Sequence, residues 1–330
     1  MITSFPTIVR DLEQLELAAE LLDRKTPTAA RLALILIDNV MEGIAVRIIK
    51  HKFAVDAYVG RAVGFKYPPR TRKRITSDFD SKVSFLAVTD AGVVDREAAE
   101  AAKRIHSFRN ESYHHVRYHE DVIEHVARKY FEYACRVCSR SHGNVMVDMS
   151  CNEPLFARHG FTDASQYPDG ANSILACLAK GRSCEHNDLA QALAGNLSRR
   201  IGETIGQVDS LAKEPYGLPV EDTLRHIQFY ANDRTERQVE ADDRTTEWFQ
   251  RRTREWEDEL AAYQPHVKYT TLGKWCQSAR ALKNERQTSV LLAKYRNIDD
   301  QFTPIEDVVS DAVAAHEAYV DNEVNRMRGN

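Results

Sequence analysis

The stretch FRNESYHHVRYH, Phe108–His119, crowds two arginines, an asparagine and three histidines into the junction between two amphipathic helical patterns. On an α-helix turning about 100° per residue, Asn110, His114 and Tyr118 fall four residues apart on one face, with Arg117 beside them. Arg109 falls elsewhere, in phase with the apolar positions Ile105, Val116 and Ile123. A guanidinium buried there without a partner is very costly, so either the helix breaks near Arg109 or that face meets a surface that supplies an anion. Along an unbroken helix Arg109 and His114 stand about 140° apart and about 7.5 Å along the axis. One copy could bring both to a common phosphate only through a kink, whereas two copies packed face to face could do so easily.

Helical spacing continues on both sides. Beyond the stretch, Ile123, Ala127, Tyr130 and Ala134 mark one buried face of a further helix. Before it, TSDFDSKVSFLAVTDAGVVDREAAEAAKRIHSFRN, Thr76–Asn110, reads as two helices around the turn TDAG. Ser77 or Asp78 would cap the first and Asp95 the second. RAVGFKYPPRTRKR, Arg61–Arg74, has six basic residues, two prolines and no acid, and reads as a loop. Earlier still, a long helix from Ala29 to about Val59 carries an apolar stripe through Leu32, Ile35, Leu36, Val40, Ile44, Ile48 and Ile49. Thr26 would cap it and Pro27 would occupy its first turn. Leu12, Leu15, Ala19 and Leu22 mark one more helix ahead of it.

Residues 1–142 therefore read as a helical bundle. SRSHGNVMVDMSCNEP, Ser139–Pro154, is rich in Gly, Asn, Ser and Pro, with a candidate strand at VMV, and marks the boundary to a second domain, 143–330. That half is mostly helical too. Asn187–Ala212 and Val220–Tyr263 form two long segments, the second densely charged with both signs, as in a solvated, salt-bridged helix. The expected class is all-α: an N-terminal bundle and a C-terminal helical domain.

Composition bounds the function. A chain of 330 residues exceeds one hydrophobic core, and 43% hydrophobic with 28% charged residues excludes a disordered protein. Residues 1–150 carry 23 Lys/Arg against 20 Asp/Glu, and residues 151–330 carry 22 against 29, so the net charge of -4 conceals about +3 and -7. A polyanion partner is neither demanded nor excluded, because local patches decide contact with phosphate. The longest apolar run, LALILI, is too short to span a bilayer, and the start lacks a basic segment followed by an apolar one. A cytoplasmic protein with no membrane partner is expected, its six scattered cysteines reduced. The phosphate-binding loop, the dinucleotide fingerprint and the serine nucleophile elbow are all missing from the sequence.

Arg109, Asn110, three residues and then His114 resemble the signature of the HEPN superfamily of ribonucleases, an arginine four to six residues before a histidine, often followed directly by a polar residue. The surrounding order is similar as well: a long helix with Asp38 and Glu42, a linker, then two helices leading into the motif. The resemblance covers roughly residues 28–140. It implies an up-and-down four-helix bundle, a homodimer whose two motifs line one cleft, and RNA cleavage there with no metal or cofactor. His114 would take the proton of a ribose 2'-OH and return one to the leaving 5'-oxygen, chemistry suited to an imidazole of ordinary pKa about 6.5. Arg109 would hold the phosphate, and Asn110 would orient the imidazole or the phosphate. Asp38 and Glu42 match the acidic positions of the family's first helix and would support Arg109. Tyr118 could stack on a base. Members of the family are often toxins or antiviral effectors, which implies RNA and an antitoxin or regulatory protein as partners.

Other readings stand beside this one. The spacing can run to His115 in place of His114, although His114 shares a face with Asn110. Arg109 could pair with Glu42 or Glu111, leaving a non-catalytic helical protein that binds RNA or a partner. Arg70, Arg72, Lys73 and Arg74, with Arg117, are candidates for tracking a phosphate backbone. The basic, aromatic stretch Lys268–Arg296 is a weaker one, since Trp275, Leu282, Val290 and Leu292 suit a core. His115 and His119 are spaced as a ligand pair, and Cys135 and Cys138 with His142 and Cys151 offer thiols. Neither set has the return ligands of a zinc site, and no metal is expected.

Overall fold

The computed structural model describes residues 2–89, 92–114, 120–141, 144–146, 153–214, 216–237 and 258–328; the side chains of 2–4, 61–63, 111–114, 144–146 and 232–237 lie outside that description. The class is all-α, as expected. A single pair of three-residue strands is present among the described residues: β1 (Ile2–Ser4) and β2 (Asn144–Met146) run parallel, with Ile2 opposite Asn144. The second strand overlaps the expected VMV segment at Val145 and Met146.

Helix α1 (Phe5–Asp23) buries Ile8, Leu12, Leu15, Ala19 and Leu22 on one stripe. Helix α2 (Pro27–Val63) begins where Thr26 Oγ1 accepts the Ala29 N–H at 3.2 Å and Pro27 fills the first turn, a position that needs no N–H. It ends at Gly64, whose φ of 93° suits glycine and whose N–H reaches the Gly60 carbonyl at 2.9 Å. The expected stripe of α2 is partly out of phase. Leu32 is exposed and Ile35 and Leu36 are half-buried, whereas Ala30, Ala33, Leu34 and Ile37 are buried. The reason lies in packing: α2 touches α1, α4, α5 and α6, so its buried surface is broad, and alanines permit close helix approach.

The basic segment Arg61–Arg74 is not a loop throughout. α2 runs on to Val63, and Pro69–Ile75 form a short helix α3, with Pro69 in its first turn. Its framework is the Asp56 carboxylate, which accepts the N–H groups of Lys66 at 2.8 Å and Tyr67 at 3.1 Å and the Arg72 guanidinium at 3.0 Å. Burial works to raise the Asp56 carboxyl, but these donors outweigh it and hold it below the usual carboxylate range.

Helix α4 (Phe79–Thr89) is capped by Asp78, which accepts the Ser81 N–H at 2.7 Å. Helix α5 (Arg96–His114) is capped by Asp95, which accepts the Ala98 N–H at 2.8 Å. Helix α6 (Glu120–Ser141) buries Ile123, Ala127, Tyr130 and Ala134, the four positions expected of it. α7 (Pro154–Arg158) and α8 (Tyr167–Ala179) follow, tied to α1 by the stacked rings of Phe5 and Tyr167, 5.2 Å apart.

The chain divides into two compact units, residues 1–192 with 284–293 and residues 193–283 with 294–330. This division does not coincide with the expected boundary at 142/143. In the first unit α8 packs on α1 and α6, so helices beyond residue 142 join those before it. More than four helices pack together in that unit. The remaining helices are α9 (His186–Lys213), α10 (Val220–Arg237), α11 (Tyr269–Ala281) and α12 (Thr288–Met327). In the second unit Leu197, Ile201, Val208, Leu224, Leu272, Phe302 and Val309 are buried. Arg200 is buried among them, 2.6 Å from Asp299 and 2.5 Å from Glu306. Burial opposes its charge, but the two carboxylates prevail and raise its pKa. Of the expected long charged segment, α10 covers the part up to Arg237, and residues 238–257 lie outside the described residues. No helix among the described residues is long and apolar enough to cross a membrane.

Candidate functional site

Within the first unit α2, α5 and α6 pack on one another and bring polar groups to one point. Asp38 of α2 is 2% exposed. A carboxylate removed from water requires donors, and it has them: Tyr130 Oη of α6 donates at 2.9 Å, and His106 Nδ1 of α5 lies 2.9 and 3.0 Å from its two oxygens. Burial first, then the Asp38 charge, pushes the Tyr130 phenol well above its ordinary range, so it stays a neutral donor. The His106 ring lies flat on Phe79 of α4, centroids 4.2 Å apart and planes 7° apart. Stacking and the Asp38 contact together fix the ring orientation, directing Nδ1 to the carboxylate and leaving Nε2 as the nitrogen for other exchange.

Arg109 is one turn further along α5. Its Nε stands 3.9 Å from Asp38 Oδ2, an ion pair beyond hydrogen-bond reach, and its side chain is 33% exposed. Its Nη1 donates to Asn110 Oδ1 at 2.9 Å. Helix α5 does not break at Arg109, and among the described residues Asp38 of the same chain meets this face as an anion. Glu42, one turn after Asp38, accepts from Lys82 Nζ of α4 at 2.6 Å. Of the two acids it is Asp38 that stands beside Arg109, while Glu42 ties α2 to α4.

Of the other expected site residues, Asn110 is exposed on α5, and His114 is the last residue of that helix, its side chain beyond the described set. His115, Arg117 and Tyr118 lie outside the described residues. Arg70, Lys73 and Arg74 are exposed on α3. Arg72 is held within the chain: besides Asp56 it donates from Nε to the Tyr67 carbonyl at 2.7 Å, and its guanidinium covers the Phe53 ring at 5.2 Å. Cys135 and Cys138 are buried in α6, where desolvation pushes the Cys135 thiol up to about 12 and the Cys138 thiol well above its usual value. Thiols so disposed are neutral core groups, the opposite of a thiolate ligand. Among the described residues no cluster of three or more metal-binding side chains occurs.

His106 was not among the expected site residues. Its signal is present in the sequence: it lies three residues before Arg109, which places the two on adjacent positions of one helix face. The chain matches no family model, no curated protein and no solved structure.

Proposed function

We propose that the protein is a metal-independent endoribonuclease of the HEPN type, working as a cytoplasmic homodimer. One observation carries the reading: a buried carboxylate, Asp38, braces an imidazole and a partly exposed guanidinium at successive turns of one helix. Arg109 would hold the non-bridging oxygens of the scissile phosphate, its fork oriented by Asn110. His114 would take the proton of the 2'-OH as that oxygen attacks phosphorus. The bond to the 5'-oxygen breaks, and His106, oriented by Asp38, is assigned the donation of a proton to that leaving oxygen. The products are a 2',3'-cyclic phosphate and a 5'-hydroxyl end. In this reading the activity is that of a toxin or antiviral effector, held in check by a regulatory protein.

The test is incubation of the full chain with total RNA, with and without EDTA, followed by analysis of fragment ends. Wild type should cleave in EDTA and leave cyclic phosphates. Arg109→Ala and His114→Ala should each lose at least about 10²-fold in rate with unchanged circular dichroism. His106→Ala should likewise lose at least about 10²-fold in rate. Absence of cleavage by wild type, or a requirement for Mg²⁺, overturns the mechanism and leaves a non-catalytic helical interaction protein.

A further inference from the structure

The second half of α2, with α3 and α4, encloses an open cavity of about 1190 Å³ in the first unit. That exceeds the roughly 300–1,000 Å³ usual for a small-molecule site. One wall is α2, through Val55 and Val59; the other is α4, through Ser84, Phe85 and Val88. Each wall shows the spacing of a helix face, so the cavity is a groove along two helices. Its apolar lining is left open: Val55 and Val59 are each 48% exposed and Val88 is 85% exposed. Open valines at the spacing of a helix face offer a partner's apolar side chains a place to bury.

Charge restricts the occupant. His51 and Lys52 precede the valines on α2, and Lys66 and Arg74 follow them around the groove. Among the described lining residues the one carboxylate, Asp56, is committed to Lys66, Tyr67 and Arg72. The rim is therefore cationic. Single-stranded nucleic acid needs open aromatic faces as well as cations. The rings of the lining are turned on one another or on their neighbours, with Tyr67 5.6 Å from Phe53 and 5.4 Å from Phe85, and Arg72 covers Phe53; the exposed rings of this segment, Tyr58 and Phe65, do not line the cavity. An aliphatic floor between cationic rims suits an amphipathic helix with an apolar face and acidic flanks. We infer that the groove between α2, α3 and α4 docks an acidic amphipathic helix of a partner protein. This site does not depend on the nuclease reading.

A display library of amphipathic helical peptides, apolar on one face and randomised between Glu and Lys at the flanks, is panned on the full chain with counter-selection on Val59→Asp. Glutamate-flanked peptides should be enriched. Their affinity, read by fluorescence anisotropy, should fall at least about ten-fold in Val59→Asp and in Val88→Asp. Both valines are exposed, so these variants should melt with wild type, and Arg74→Glu, which leaves the apolar floor intact, should weaken the same peptides. Failure to enrich any peptide, enrichment of lysine flanks, or binding unmoved by all three substitutions overturns the inference. Displacement of the peptide by oligouridylate at equal concentration reassigns the groove to RNA and overturns it too.

Discussion

At Asp38 a carboxylate that is 2% exposed accepts from Tyr130 and His106 and faces Arg109 at 3.9 Å. A buried ion contributes stability only while its donors are in place, and losing one side of such a pair is far more costly than the pair is worth. Asp38→Ala should therefore cost about 3–5 kcal/mol of unfolding free energy, because Arg109 and His106 lose their anion and the Tyr130 hydroxyl is left unsatisfied. Tyr130→Phe removes one hydrogen bond to a charged acceptor and should cost about 1–3 kcal/mol. Urea titration checks both, the midpoint falling with the slope unchanged. Arg109 stood out in the sequence from its phase on an apolar face, whereas Asp38 came only from the resemblance to HEPN ribonucleases, with Glu42 beside it. The three-residue spacing of His106 and Arg109 puts both on one face, but it carries no mark of the partner on α2.

Helix α2 shows how far periodicity reaches at the scale of one element. Its cap at Thr26 and its Pro27 start are local chemistry and stand as expected. Its buried face depends on four neighbours, which is why Leu32 is exposed and Leu34 is fully buried. Leu32→Lys should then change stability by no more than about 0.5 kcal/mol. Leu34→Ala should cost about 2–5 kcal/mol, and thermal melts of the two variants separate them. Helix α3 escaped the reading because its organising carboxylate, Asp56, lies 16 residues before Arg72. Prolines and positive charge alone describe a loop.

For the molecule as a whole, pH separates the two units. In the second, burial first and the Arg225 charge next lower the His226 pKa below its ordinary 6.5. The folded imidazole resists protonation more than the unfolded one, so its contribution is complete above about 6.5 and is lost as pH falls through the lower folded value. Trp275 of α11 belongs to that unit, as does His226 of α10. Denaturation followed by tryptophan fluorescence should show a midpoint that drops as pH falls below 6.5, and His226→Gln should flatten the drop. In the first unit burial works to raise Glu16, but Arg158 and His159 hold its carboxyl below the ordinary 4.5, so its stabilisation is lost only at more acid pH.

The helical class, the caps at Thr26 and Asp95, and the buried face of α6 were determined by the sequence alone, and the cap of α4 was narrowed to Ser77 or Asp78. Each rests on residues within a turn or two of one another, where spacing and side-chain chemistry decide the outcome. Tertiary structure alone decided that the carboxylate facing Arg109 is Asp38, that the same group holds an imidazole 68 residues away, and that the basic segment folds around Asp56. These are contacts across elements, set by the rotation and register of packed helices, which no period read along a single strand of sequence contains.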